Sequence, residues 1–436
     1  MRSLYLWCSK FQLTLVSRGL LLGSLTVLPA AVLLCAWLWL GWSQSQPTGE
    51  DKHLSAQARL GQLVFHDTSL SASGQQSCAS CHLKELGHAS ARGLEIGGQQ
   101  MQFTGDRNTP SLRYLWRNTG LHIDEEGKAS GGYFWDGRAD SLKSQAAEPF
   151  LNPVEMANVD KASVVAKLSR TAYAAEFERV FGTDIWQQTD KAFGAMTQAL
   201  ASYQTEDINF HPFDSVFDRV SQGQASFNAA QARGWELFKD PEKGNCAACH
   251  TAEADKDGTP PLFTDNSYDN LGVPATAKML KNQTLDKGVC THPLVRARPD
   301  AQKLCGAFKV PSLRNVAVRR AFFHNAAMTD LREVIAFYAT RDTDPKRWYG
   351  TTDTLGGVPK ALRANVNRDE VPYGQKPGEQ PRLDEQEIDD LLAFLLTLTD
   401  ADLAGSVAKP RTATAAPAVA ARASPPVANP KAANSL

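Results

Sequence analysis

The sequence predicts a mainly α-helical protein in which one unit is used twice, behind a single membrane-spanning helix. Three observations predict this. A five-residue signature occurs at Cys78-Ala79-Ser80-Cys81-His82 and again at Cys246-Ala247-Ala248-Cys249-His250. The segments flanking the two copies resemble each other. An uncharged apolar stretch, residues 19–42, precedes both.

The apolar stretch comes first in the chain. It is long enough to span a bilayer. Arg2, Lys10 and Arg18 lie before it, and no basic residue follows until Lys52. The positive-inside rule therefore leaves 1–18 in the cytoplasm and exports everything after residue 42. Trp37, Trp39 and Trp42 suit the outer interface. A cleaved signal peptide is the alternative, but the stretch is long for one and lacks a clear small-residue cleavage site. Residues 43–54 are a linker. The expected location is the periplasmic side of a bacterial inner membrane.

Two cysteines that can add across haem vinyl groups, with the adjacent histidine as proximal iron ligand, are the attachment signature of a c-type haem. Zinc is the competing use of Cys and His. Two copies, each with His directly after the second Cys, favour two covalently bound haems. Cys78, Cys81, Cys246 and Cys249 are the attachment points, and His82 and His250 the axial ligands. The fold class is thus two cytochrome c-like haem domains from an internal duplication.

The duplication extends beyond the signatures. Gly61-Gln62-Leu63-Val64-Phe65-His66-Asp67 recurs as Gly234-Trp235-Glu236-Leu237-Phe238-Lys239-Asp240, and Pro110-Ser111-Leu112-Arg113 as Pro311-Ser312-Leu313-Arg314. Phe134 has a leucine eight residues on, as does Phe323. The units are expected at 55–208 and 209–404. Helical periodicity covers 163–180, 191–202, 331–339 and 385–398. Residues 97–109, 255–270 and 340–381 read as loops, and Ala/Pro-rich 405–436 as a disordered tail. Of the eight cysteines, four serve haem and Cys8 and Cys35 lie in the anchor region. Cys290 and Cys305 remain in the exported part, where a disulfide is expected over two buried thiols. The composition, 42% hydrophobic and 21% charged with net charge −1, leaves no basic footprint for nucleic acid.

The two copies differ where the sixth iron ligand would stand. Seven residues after Leu331 comes Tyr338; seven after Leu142 comes Pro149, which cannot ligate. The first haem should be open to a small molecule and the second closed by Tyr338, with Met328 as a weaker alternative. Glu155 is the candidate base for moving a proton between peroxide oxygens, and Gln145 the orienting amide. Both have an ordinary solvated reading as well.

Phe134-Trp135-Asp136-Gly137-Arg138-Ala139, Gln145, Pro149, Asn152-Pro153, Glu155-Met156, Asn108-Thr109-Pro110 and Lys309-Val310-Pro311-Ser312-Leu313-Arg314-Asn315 together resemble the bacterial dihaem cytochrome c peroxidase family over about 55–400. The resemblance implies an oxidoreductase acting on hydrogen peroxide. It implies Trp135 as an electron relay between the haems, with Gln145 and Glu155 over the peroxidatic one. It also implies a structural calcium, held by the Asn108 side chain and the carbonyls of Arg319 and Ala321, although the family usually has proline at 321. Ordinary members carry methionine where this chain has Tyr338, and a distal histidine in a loop that here reads Gly97-Gly98-Gln99-Gln100-Met101. Both departures resemble the MauG branch. They imply a dihaem state two electrons above ferric that oxidises a periplasmic protein or a small donor. A peroxidase fed by a soluble cytochrome c and a non-catalytic dihaem carrier are the alternatives.

Overall fold

Each Cys-x-x-Cys-His segment is followed by helices that fold back onto the helix preceding it, and this arrangement is built twice. The structure, a computed structural model, describes residues 54–282 and 285–407. The helices that matter are α1 (Ala56–His66), α2 (Leu142–Leu151), α3 (Thr189–Glu206), α4 (Ala229–Lys239), α5 (Leu331–Thr340) and α6 (Glu385–Leu396). Helix α1 packs on α3, and α4 packs on α6. Both pairs touch backbone to backbone through a glycine. A Cβ at Gly61 would collide with the Ala199 carbonyl, and one at Gly234 with the Asp390 carbonyl. No other residue allows that approach without moving a helix.

The repeat equivalence is written in hydrogen bonds. Ser111 Oγ donates to the Gly87 carbonyl and Ser312 Oγ to the Leu262 carbonyl, each at 2.6 Å. The arginine two residues on is buried in both copies. Arg113 pairs with Asp400 and Asp402, and Arg314 with Asp218 at 2.9 Å through both terminal nitrogens. Phe134 and Phe323 both adopt positive φ, 63° and 64°, which side chains rarely do. Helices α2 and α5 are each ten residues long, starting at Leu142 and Leu331 behind the N-caps Ser141 and Asp330. Pro149 and Tyr338 therefore occupy the same position of equivalent helices.

Strands are minimal, as expected. Three antiparallel two-residue pairs join Ile96–Gly97 to Phe103–Thr104, His122–Ile123 to Ala129–Ser130, and Tyr268–Asp269 to Phe308–Lys309. One apolar core draws on residues 54–210 and a second on 217–398. A third, around Leu121, Tyr268, Val295 and Leu355, contains the Cys290–Cys305 disulfide, whose S–S distance is 2.08 Å.

Two expectations need correction. The single helix expected over 163–180 is two, Lys161–Leu168 and Ala174–Phe181. Thr171 turns its hydroxyl back to the Leu168 carbonyl at 2.8 Å, and such side-chain bonds compete with helix continuation. The long loop over 340–381 holds a short helix, Pro345–Tyr349, and a 3₁₀ turn, Lys360–Asn365. Among the described residues no helix is long and apolar enough to cross a membrane. The anchor expected at 19–42, with Cys8 and Cys35, and all but the first three residues of the tail expected at 405–436, lie outside the described residues.

Candidate active site

Two cavities, of about 600 Å³ and 220 Å³, open on the two signatures. Cys78, Cys81 and His82 line the larger; Cys246, Cys249 and His250 line the smaller. None of these four thiols is in a disulfide, and burial pushes all four up to about 12. The His82 Nδ1 lies 3.1 Å from the His88 carbonyl, and the His250 Nδ1 lies 2.9 Å from the Phe263 carbonyl. A carbonyl only accepts, so Nδ1 carries the proton and Nε2 keeps its lone pair for a metal. Burial lowers both imidazoles, His82 to about 4, which keeps them neutral and ready to ligate. The carbonyl acceptors, His88 and Phe263, sit at the same left-handed φ, 53°. Paired thiols beside a tautomerically fixed imidazole are a donor set that fits haem in both cavities.

The first cavity gathers Gln145, Pro149, Glu155 and Trp135. Proline at position eight of α2 has no N–H to return to the Gln145 carbonyl one turn back. Burial raises the Glu155 carboxyl above its usual value, the Glu148 charge adds to this, and Arg138 and the Asn152 side chain oppose it. The Gly98 N–H donates to the Glu155 carbonyl at 2.8 Å, and a Cβ on Gly97 would collide with the Val154 carbonyl. The loop that lacks a histidine is thus the loop that rests on Glu155. His88, the nearest histidine after the signature, is buried against Phe210 with ring centroids 4.2 Å apart and does not line the cavity.

Tyr338 lines the second cavity; Met328 does not. The Tyr338 ring lies between Phe323 and Tyr373, at 6.2 Å and 6.0 Å, with near-parallel planes. Trp135 lines both cavities, its Nε1–H fixed on the Asn108 carbonyl at 2.7 Å.

Of the expected calcium ligands, the Asn108 side chain and the Ala321 carbonyl meet, through the amide nitrogen. The Asn108 Nδ2 donates to the Ala321 carbonyl at 3.1 Å and the Phe323 carbonyl at 3.0 Å. The amide nitrogen rather than its oxygen faces that side, so the carbonyls are satisfied by N–H and the group does not fit a cation as oriented.

Residues 55–226 match the family model for di-haem cytochrome c peroxidase. The methylamine utilization protein MauG of Paracoccus denitrificans is 39% identical over 355 residues, 79% of this chain and 89% of its own length. The chain belongs to the di-haem cytochrome c peroxidase and MauG family. Members are oxidoreductases acting on peroxide, and the family implies two haem groups. The cytochrome c551 peroxidase of Nitrosomonas europaea is 28% identical over 72% of this chain and 76% of its own length. The solved diheme peroxidase BthA from Burkholderia thailandensis superposes with a TM-score of 0.76 at 34% identity, covering 83% of this chain and 89% of that one. Relatives thus carry both family names, and the likeness does not choose a branch.

Several residues at this family site have no motif context in the sequence. His324, at the repeat position of Trp135, lines both cavities and stacks on Phe308 at 3.5 Å and 7°; burial lowers it to about 3. Met279, from the short helix Ala277–Asn282, also lines both. Arg107 joins Asp136 and Asp286, each at 2.7 Å, beside the first cavity. Burial lowers Arg319 to about 10 in the wall of the second. The sequence had hinted only at His324, through the duplication, and at Arg319, for its carbonyl and not its side chain.

Proposed function

We propose that this chain is a dihaem c peroxidase of the MauG type, in which peroxide reacts at the cavity of His82 and the cavity of His250 holds a second, Tyr338-capped haem. The observation that carries this reading is the pair of equivalent helices with Pro149 in one and Tyr338 in the other. Haems held through Cys78, Cys81, Cys246 and Cys249 would supply the electrons that cleave the O–O bond. The protein supplies protons and placement. The Glu155 carboxylate, made a stronger base by burial, takes a proton from one peroxide oxygen and returns it to the other. The Gln145 amide orients the oxidant. Trp135, in the wall shared by both cavities, links them electronically. A phenolate at Tyr338 would favour the higher iron oxidation states of a haem held there, where a thioether would favour ferrous iron. The oxidised partner is a periplasmic protein side chain or a small donor, and the chain is held at the periplasmic face of the inner membrane by residues 19–42.

The test is rapid mixing of the diferric holoprotein with hydrogen peroxide. Spectral oxidation of both haems, slowed in Glu155→Gln, is the expected result. An unchanged rate in that variant removes Glu155 from the chemistry. Fast steady-state turnover with reduced soluble cytochrome c would instead favour a detoxifying peroxidase. A resting protein without a high-spin ferric signal would indicate a closed electron carrier.

A further inference from the structure

The three fully buried arginines of the described chain each have a carboxylate partner, and half-buried Arg319 does not. Arg113 pairs with Asp400, Arg314 with Asp218 and Arg341 with Asp342. The Arg319 Nη2 donates to the carbonyls of Ser312 and Arg314, both at 3.1 Å, and its Nε is buried with no partner. Among the described residues it makes no ion pair. Its side chain lines the second cavity together with His250. The acids of that cavity are committed elsewhere: Asp286 to Arg107, and Asp269 and Glu370 to the Asn367 amide. The other cation in the wall, Lys309, is held by the carbonyls of Gly131 and Gly132 at 2.6 Å and 2.7 Å.

A cation drawn out of water is unfavourable unless an anion meets it. The chain offers Arg319 none, but it faces a cavity whose expected occupant carries two carboxylates. We infer that Arg319 is the counter-ion of a propionate of the haem attached at Cys246 and Cys249. This rests on the reading that the second signature holds a haem. With both carbonyl bonds made by Nη2, the Nε–H and the Nη1 N–H groups are left to donate singly to a carboxylate. The consequence is electrostatic. A fixed positive charge beside this iron favours its reduced form and raises its midpoint potential. It offsets part of the opposite effect of the Tyr338 phenolate, and it acts on one haem only.

The experiment is spectroelectrochemical titration of the holoprotein and of Arg319→Gln, with covalent haem counted by pyridine haemochrome. The expected result is two haems in both proteins and a downward shift of the second haem's midpoint alone. An unchanged second midpoint, or an equal shift of both, overturns the inference. Should Arg319→Gln fail to hold two haems, Arg319→Lys replaces it. An ammonium keeps the charge but loses the fork, so the midpoint should stay near that of the parent while the propionate stretch of ¹³C-labelled haem moves in infrared difference spectra. A propionate band identical in the two proteins overturns it. A parent protein with one covalent haem would instead sink the dihaem reading itself, which separates the two failures.

Discussion

At the scale of single residues, chemistry is concentrated in Glu155 and Tyr338. Glu155 must be deprotonated to accept the first peroxide proton, and burial raises its carboxyl. Activity should therefore fall as pH drops through a value above the ordinary carboxylate range, and recover as pH rises. Glu155→Gln should slow the peroxide reaction by about 10²- to 10⁴-fold and abolish that limb of the profile; pre-steady-state rates across pH measure both. Tyr338→Met should raise the midpoint potential of the second haem and leave the first unchanged, read by redox titration. A first-haem shift of the same size would mean that the phenol acts through the fold and not at its own metal. The identity of both residues was legible in the sequence, from their spacing to Leu142 and Leu331. Their surroundings were not. The Gly97–Gly98 backbone against Glu155, and the Tyr373 ring beside Tyr338, join segments far apart in sequence.

At the scale of elements, the duplication decides what each helix is for. Helices α1 and α4 are short and amphipathic because each buries one face against a longer partner, α3 or α6. The glycine at each crossing sets the distance between helices and so the position of the signature that follows. Gly234→Ala should cost at least about 1–3 kcal/mol, because the methyl would meet backbone that cannot rotate away. Chemical denaturation measures it; a variant as stable as the parent would mean that the α4–α6 pair can spread freely. The paired segment containing Gly61 and Gly234 was visible as a repeat, and its helical start and end were readable from periodicity. The break at Ser169–Tyr173 was not, since the apolar spacing continues across it and only a local hydroxyl bond interrupts the backbone.

At the scale of the whole molecule, the two halves are tied at several places. Asp400, near the end of the described chain, accepts from Arg113 and Tyr114 of the first half and from Asn315 of the second. The Cys290–Cys305 bridge closes a loop with a sequence separation of 15 within the core that also takes Leu121 and Ala129 from the first half. Replacing both cysteines with serine should lower stability by about 3 kcal/mol, seen as a lower denaturation midpoint under oxidising conditions. No change on substitution would show that the surrounding core fixes this loop unaided.

The sequence alone determined the chemistry on offer: two haem-attachment signatures, one helix position filled by proline and once by tyrosine, a carboxylate and an amide at fixed distances from the first, and the duplication relating them. These follow from local spacing, which a covalent motif and helical geometry constrain directly. Tertiary structure decided what long-range contact controls. It placed Trp135 in a wall common to both cavities, buried His88 away from the first and put His324 and Met279 where both cavities meet. It also left Arg319 without an acid while pairing the three arginines buried deepest. Which buried charge finds a partner depends on segments separated by as many as 289 residues, as for Arg113 and Asp402, and no local pattern encodes that.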